Sequence, residues 1–284
     1  MSATTTNITA ADINKLRQAT GAGMMDCRKA LTESDGDFEK AIDYLRKKGQ
    51  KVAALRSDRE ANEGVIISMT TPDNKTGLII TLACETDFVA KNSEFIAFTQ
   101  SIMDVALKNK LNSVAELLSA KLDNASVADK INDQVAKIGE KIQLTRFERI
   151  DAEGVASYIH GTYRMGVLVG LNKNTAPALE AGKNVAMQIA AMNPVAVDQD
   201  SVSPDIVARE KAIVTEQIRN DPKMAGKPDE MIEKIAVGKL NAFFKESTLT
   251  AQPFVRDPGK TVAEYLKSID ADLKVTQFKR VQLG

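Results

Sequence analysis

The stretch GLIITLAC at residues 77–84 runs through Glu85 directly into TDFVAK at residues 86–91, and this junction decides the fold. Its first part is a short apolar run rich in β-branched residues, which is typical of a buried strand. From about Ser93, apolar residues recur at helical spacing, which predicts a helix reaching about Lys108. The pattern therefore predicts a strand that leads into a helix through a short connection.

The connection itself carries an unusual set of side chains. Asp87, Phe88 and Lys91 place an acid, a large aromatic ring and a base close together, where small polar residues are expected. One interpretation is that Phe88 forms an exposed anchor for a pocket in a partner protein. The other interpretation is that Phe88 folds back into its own core and Asp87 caps the following turn.

The composition of the 284-residue chain is that of an ordinary globular protein, with 43% hydrophobic and 27% charged residues. Because 38 basic residues balance 38 acidic residues, no overall charge attracts the chain to nucleic acid or to a membrane surface, and a protein partner is expected. No apolar run approaches the roughly 20 residues that cross a bilayer. The first residues also lack the features of a secretory signal. We therefore expect a cytoplasmic protein of two domains, or of one domain with appendages.

Residues 1–50 are predicted to form a three-helix module with a small core. Thr9 is a good N-cap for the first helix, and Asp12 stands where a capping box needs an acceptor. The third helix is expected to end near Gly49, and residues 51–62 read as a basic, solvated linker without the interleaved aromatic side chains that stack on RNA bases. The module matches the shape of ubiquitin-associated domains, which bind proteins.

Met24 and Met25 follow the glycines that stop the first helix, and Asp26 is predicted to open the second helix. Two consecutive residues on a tight loop cannot easily both point inward. At least one of these methionines is therefore expected at the surface, although both could instead close the small core.

The rest of the chain is predicted to contain two related subdomains, at residues 63–139 and 140–284. The strand that starts at Gly64 is echoed at Gly154, and the strand that starts at Gly77 is echoed about ninety residues later. A helix follows each pair of strands. The strand predicted at residues 140–147 can join either sheet. The expected fold class is thus α+β, with antiparallel sheets and packed helices.

A helical hairpin is predicted as an insertion in the second subdomain, at about residues 204–246. Two charged amphipathic helices flank a turn that contains proline and glycine. The hairpin either projects as an arm for self-association or partner contact, or lies on the core.

Side chains that carry covalent or metal chemistry are scarce. His160 is the one histidine, so no histidine pair is available for a metal. Cys27 and Cys84 lie far apart, form no C-x-x-C motif and are expected to pack as small buried groups. Neither a phosphate-binding P-loop nor a dinucleotide-binding glycine motif is present. We therefore expect a protein that acts by binding and is not an enzyme.

Several motifs resemble those of one family, the bacterial translation elongation factor Ts family. The residues that carry the resemblance are TGAGMMDCRKAL at 20–31, Gly36-Asp37, CETDFVAK at 84–91, His160-Gly161, GVLV at 166–169 and QPFV at 252–255. The second signature of the family often has Gln where this chain has Glu85. Longer members carry a C-terminal helical module, whose contacts are expected to be absent from a chain that stops at Gly284.

The resemblance implies a guanine-nucleotide exchange factor for elongation factor Tu in protein biosynthesis, without a cofactor of its own. Carried over by position, Met24 and Met25 would contact the nucleotide-binding domain of the partner. Four junction residues would dislodge Mg²⁺ from its site in elongation factor Tu: Thr86, Asp87, Phe88 and Val89. His160 would lie near the contact with the third domain of the partner. The alternatives are a non-catalytic adaptor that binds through its ubiquitin-associated-like module, and an enzyme with an unrecognised site.

Overall fold

The computed structural model describes residues 8–224 and 228–284, and helices and strands alternate along them. The α-helices are α1 (Ala10–Thr20), α2 (Met24–Glu33), α3 (Phe38–Leu55), α4 (Asp87–Ala90), α5 (Ser93–Lys108), α6 (Val114–Ser119), α7 (Val127–Ile138), α8 (Ala176–Met192), α9 (Pro204–Arg219), α10 (Asp229–Ser247) and α11 (Val262–Ile269). The strands are β1 (Glu63–Thr70), β2 (Thr76–Cys84), β3 (Lys121–Leu122), β4 (Ala125–Ser126), β5 (Gln143–Asp151), β6 (Gly154–His160), β7 (Met165–Leu171), β8 (Pro253–Phe254), β9 (Asp257–Thr261) and β10 (Val275–Gln282). The fold is α+β, as the sequence predicted.

The first three helices share a small hydrophobic core. The predicted capping box of α1 is present, because the Asp12 amide donates to Thr9 Oγ1 at 3.2 Å and the Thr9 amide donates to Asp12 Oδ2 at 3.0 Å. The buried residues of this core come from all three helices and the first connection: Leu16, Ala22, Cys27, Ala30, Leu31, Ala41 and Leu45. The leading segment, residues 1–7, lies outside the described residues.

Two boundaries in this region differ from the sequence predictions. Helix α2 begins at Met24, not at Asp26. The prediction that the third helix ends near Gly49 is wrong, because α3 continues to Leu55 and includes the start of the predicted linker. Gly49 faces α7, and Val52 and Ala53 pack against the core of the first sheet. Burial of this helix face outweighs the low helix propensity of glycine, which costs roughly 1 kcal/mol.

Two three-stranded antiparallel sheets form the centre of the molecule. Their strand orders are β1-β2-β5 and β10-β7-β6. The strand near residue 143, which the sequence could not assign, is β5 and pairs with β2 in the first sheet. Strands β1 and β2 are followed by helices α4 and α5, whereas β7 leads to α8 without an intervening one-turn helix. The second sheet thus has no counterpart of the segment that carries Asp87 and Phe88.

The sheets pack against each other, and each covers its outer face with helices. The contact between them is built from side chains of both sheets and the C-terminal residues: Ile66, Ile79, Ile150, Val155, Leu168, Val281 and Leu283. Helices α5 and α7 supply much of the core on the outer face of the first sheet. Helices α8 and α11 do the same for the second sheet. Strand β2 is central in its sheet and buried along nearly its whole length.

Helices α9 and α10 form the predicted helical hairpin. One small cluster, made by Val214, Ile218, Ile232 and Ala236, contains buried residues of these two helices alone. A second cluster joins Phe244 of α10 to Ala196 and Val202 at the base of the hairpin. These contacts favour the projecting arm over a hairpin that lies on the core. Residues 225–227 of the predicted turn lie outside the described residues, and self-association through the arm stays a prediction.

Candidate partner-binding site

Phe88 lies on α4, directly after the central strand β2, and 83% of its surface is exposed. Its neighbours behave differently, because Ala90 is buried and Val89 packs against the core of the first sheet. Thr86 caps α4, and its hydroxyl accepts from the Val89 amide at 3.4 Å. The alternative with Phe88 in its own core and Asp87 as the cap is therefore wrong on both points.

Asp87 forms an ion pair with Lys91 one turn further along the chain, with 2.7 Å between Oδ2 and Nζ. The hydrogen bond from Lys91 lowers the pKa of the Asp87 carboxyl below its usual value. Both side chains are largely exposed, so the pair contributes little to stability. It places a positive and a negative charge beside the exposed ring of Phe88.

Glu140, which follows α7, braces the residues before Phe88. Its Oε2 accepts from the Glu85 amide at 3.1 Å and from the Thr86 amide at 3.0 Å. Its Oε1 accepts from the Thr86 hydroxyl at 2.6 Å. Hydrogen bonds to a charged carboxylate are about twice as strong as neutral ones. The backbone at Glu85 and Thr86 is therefore held by a single side chain from a distant part of the sequence.

Glu85 forms a second set of contacts across the same junction. Its carboxylate accepts from Arg56 at 2.8 Å, from Arg59 at 3.0 Å and from the Lys141 amide at 2.6 Å. The Lys141 amide, followed by the two guanidinium groups, lowers the pKa of Glu85 to about 2. The carboxylate thus links the segment after α3 to the strand-to-helix junction.

We expect the contribution of Glu85 to stability to depend on pH. Because its pKa falls on folding from 4.5 to about 2, the ionised group stabilises the fold fully above pH 4.5, and this contribution is lost as the pH falls towards 2. The difference in free energy of unfolding between the wild type and Glu85→Gln should be largest near neutral pH and smaller at about pH 3. Urea unfolding at both pH values measures it.

Exposed Glu246 of α10 provides the control substitution. The Glu246→Gln variant should follow the wild type at both pH values. A Glu85→Gln variant that differs from the wild type by the same amount at both pH values would contradict the assignment.

Met24 and Met25 lie in the first turn of α2, where they are 53% and 71% exposed. The next residue, Asp26, forms an ion pair with Lys48 of α3, which joins the start of α2 to the third helix. The expectation that at least one methionine is at the surface is thus confirmed, and the alternative in which both close the small core is wrong.

His160 is the last residue of β6 and is exposed. Its Nδ1 lies 2.9 Å from the hydroxyl oxygen of Tyr158, and the two rings are tilted by 44°. Across residues 8–224 and 228–284, no hydrogen bond, ion pair or ring contact joins His160, the two methionines and the Phe88 junction. Of the predicted site residues, all of which the structure describes, only the four junction residues at 86–89 lie together.

Sequence reasoning missed Glu140 and the role of Glu85. Glu85 stands next to the junction, but nothing in the local sequence shows that arginines and a backbone amide surround its carboxylate. Glu140 carries no local signal at all, because it is more than fifty residues from Thr86 in the chain. The pairing of β5 with β2, which ends at Ala83 and Gln143, brings the two segments together.

The cysteines and the acidic side chains form no further candidate site in the described residues. Cys27 and Cys84 are free and buried, and burial raises the pKa of Cys84 to about 12. Within the part of the chain that the structure describes, no group of three or more His, Cys, Asp or Glu residues is placed to hold a metal ion. In the same residues, no helix has both the length and the apolar character to span a membrane.

The fold and the site define a class of protein. It is an α+β protein whose candidate binding site is an exposed aromatic residue at a strand-to-helix junction, where hydrogen bonds hold the backbone. A family model described as elongation factor TS matches residues 85–284. Elongation factor Ts of Christiangramia forsetii is 49% identical to this chain, and the match covers 98% of the chain and 99% of that protein. The chain belongs to the elongation factor Ts family.

Other relatives of this chain are also full-length matches. Elongation factor Ts of Flavobacterium psychrophilum is 48% identical, with 98% of this chain and 99% of that protein covered. Elongation factor Ts of Chlorobaculum tepidum is 41% identical over the same shares of the two chains. The resemblance inferred from the sequence motifs is therefore confirmed at the level of the family.

Proposed function

We propose that this chain is a guanine-nucleotide exchange factor that binds elongation factor Tu–GDP, disturbs the Mg²⁺ site of that partner and promotes GDP release during protein synthesis. Family membership supports the proposal. The observation that carries it is the 83% exposure of Phe88 on a junction whose backbone is held by the carboxylate of Glu140. The protein would act by binding in the cytoplasm, without covalent catalysis and without a cofactor of its own.

The proposed mechanism is a mechanical disturbance of metal coordination. Mg²⁺ requires near-octahedral geometry with oxygen ligands at about 2.0–2.1 Å. If Phe88 inserts between elements that support these ligands, a small displacement weakens the coordination and hence the binding of GDP. Burial of the ring contributes roughly 1.5–3 kcal/mol, which offsets part of the distortion. Thr86, Asp87 and Val89 would present the ring and line the contact.

Release of the factor follows from the same coupling. If the factor lowers the affinity of elongation factor Tu for GDP, nucleotide must lower the affinity for the factor by an equal ratio. Rebinding of a nucleotide therefore expels the factor. Hydrolysis is not needed for the cycle, in keeping with a protein that acts by binding.

We further propose a division of the chain into contact regions. The three-helix module, which we take to be ubiquitin-associated-like, would reach the nucleotide-binding domain of elongation factor Tu through Met24 and Met25. The first sheet and its helices would present the Phe88 junction. The second related subdomain, with His160 at the end of β6, would approach the third domain of the partner.

Release of labelled GDP from elongation factor Tu tests the proposed function. Catalytic amounts of this protein should accelerate release many-fold in the presence of excess unlabelled nucleotide. Tight binding without acceleration would instead support the adaptor. If the protein neither binds elongation factor Tu nor accelerates GDP release, both interpretations are refuted, and the alternative of an unrecognised activity is reopened.

Replacing both Met24 and Met25 by alanine should weaken the encounter with elongation factor Tu–GDP. Loss of two exposed apolar anchors is expected to raise the half-saturating concentration roughly tenfold, which corresponds to about 1.4 kcal/mol. The maximum rate of GDP release should change much less, because Phe88 is intact. Met231→Ala on α10, where the methionine is 42% exposed, is the control. An unchanged half-saturating concentration in the double variant would remove the methionines from the proposed contact.

A further inference from the structure

The conformation of the Phe88 junction depends on contacts from outside it. Helix α4 contains four residues, and a single helical turn is not stable in isolation because its nucleation is costly. Its cap is weak, since the Thr86 hydroxyl and the Val89 amide are 3.4 Å apart. The exposed ring of Phe88 has little contact with its own core. The direction of the ring therefore depends on the backbone that carries it, which Val89 and Ala90 anchor to the core after the ring and which Glu85 and Thr86 must fix before it.

Glu140 supplies the contacts that fix this backbone. Both oxygens of its carboxylate are used: Oε2 accepts from the amides of Glu85 and Thr86, and Oε1 accepts from the Thr86 hydroxyl. A carboxylate with donors on both oxygens cannot rotate without losing hydrogen bonds. Thr86 is thereby held at its amide and at its side chain, two residues before Phe88.

Glu140 is itself held in position. Helix α7 ends at Ile138 and is capped by Gly139, whose φ of 80° lies in the left-handed region that favours glycine. The amide of Lys141, the residue after Glu140, donates to the Glu85 carboxylate at 2.6 Å. In return, the Glu85 amide donates to the Glu140 carboxylate. Lys141 Nζ also donates to the carbonyl oxygens of Ser57 and Arg59. The two segments therefore interlock through reciprocal hydrogen bonds between backbone amides and carboxylates.

We propose that Glu140 is a positioning residue for nucleotide exchange, which holds the Thr86 backbone so that Phe88 is presented to elongation factor Tu in the productive direction. The inference rests on the proposed function of the chain. Glu140 does not need to touch the partner, because it acts through Thr86 and Phe88. Its loss should leave the surface of the three-helix module unchanged.

Loss of the Glu140 carboxylate is expected to lower the rate of GDP release within the complex and to leave the binding of elongation factor Tu–GDP nearly unchanged. Glu140→Ala should lower the maximum rate of GDP release about tenfold and change the half-saturating concentration of elongation factor Tu–GDP by less than about threefold. Glu140→Gln should lie between this variant and the wild type, because its amide oxygen still accepts from the two backbone amides. If Glu140→Ala folds poorly, comparison of Glu140→Gln with the wild type tests the proposal instead.

A double-mutant cycle with Phe88→Ala separates positioning from a general structural effect. If Glu140 acts through Phe88, Glu140→Ala should have little further effect on exchange when Phe88 is already alanine. Equal fold-losses in both backgrounds would overturn the proposal. The matched control is Glu94→Ala, since Glu94 pairs with Lys137 near the end of α7 but makes no hydrogen bond to residues 85–88. Its exchange rate should match the wild type.

A measurement on the free factor distinguishes failure of this inference from failure of the proposed function. Amide hydrogen exchange at Glu85 and Thr86 should be faster in Glu140→Ala than in the wild type. Wild-type protein that does not accelerate GDP release would refute the proposed function. A wild type that is active and sensitive to Phe88→Ala, together with a Glu140→Ala variant of wild-type rate, would refute the role of Glu140 alone.

Discussion

Replacing Phe88 by alanine is expected to slow the stimulated release of GDP from elongation factor Tu by about thirtyfold or more. Truncation of a central aromatic anchor typically costs at least about 2 kcal/mol of interaction free energy, and each 1.4 kcal/mol corresponds to roughly a factor of ten. The fold should be unaffected, because the ring is 83% exposed and surface substitutions usually change stability by less than about 0.5 kcal/mol. Stopped-flow release of labelled GDP and thermal unfolding measure the two effects.

Phe95 provides a matched control for the aromatic truncation. It lies on α5, seven residues after Phe88, but only 2% of its surface is exposed and it belongs to the core of the first sheet. Phe95→Ala should destabilise the protein by about 3–5 kcal/mol. If Phe88→Ala were the variant that lost stability, or if it exchanged nucleotide at the wild-type rate, the exposed ring would not be the active element.

Replacing Gly49 by alanine is expected to destabilise the protein, although the same change inside most helices is stabilising. A Cβ at Gly49 of α3 would lie 2.9 Å from the backbone oxygen of Asn132 and 3.0 Å from the Cβ of Ala136, both on α7. A backbone oxygen cannot move aside as a flexible side chain does. The two helices must therefore separate, and overpacking of this kind costs about 1–3 kcal/mol.

Gly238 in α10 is the control for this substitution, because a Cβ there would meet nothing within 4 Å. Gly238→Ala should stabilise the protein by about 0.5–1 kcal/mol through helix propensity and the unfolded chain. Those two contributions are similar at both positions, so the difference between the variants isolates the contact of α3 with α7. Urea unfolding of both proteins measures it. Equal gains in stability would show that the helices do not pack as closely as described.

Features set by neighbouring residues could be predicted from the sequence. The apolar run at 77–84 gave β2, the spacing after Ser93 gave α5, and Thr9 with Asp12 gave the first cap. The junction between β2 and α5 was also located as the candidate site. In each case the signal lies within a few residues of the element that it specifies.

Features set by distant contacts could not be predicted. Gly49 suggested a helix end. In the structure, however, α3 continues past it to Leu55, and Gly49 lies where α3 packs so closely on α7 that a side chain would not fit. The sheet that contains β5 depends on which edge of which hairpin is available, and the local sequence does not encode this choice. The partners of Glu140 and Glu85 likewise exist only after the sheet has formed.

The placement of Phe88 at the end of β2 has a mechanical consequence. If the ring displaces elements of another protein, as proposed, the segment that carries it must not move back, because such movement would absorb the displacement. Strand β2 has a hydrogen-bonded neighbour on each side, with helices over one face and the second sheet behind the other. In the proposed complex, a force on the ring would therefore be transmitted to a central, buried strand, and the second sheet would support that strand from behind even where it touches no partner.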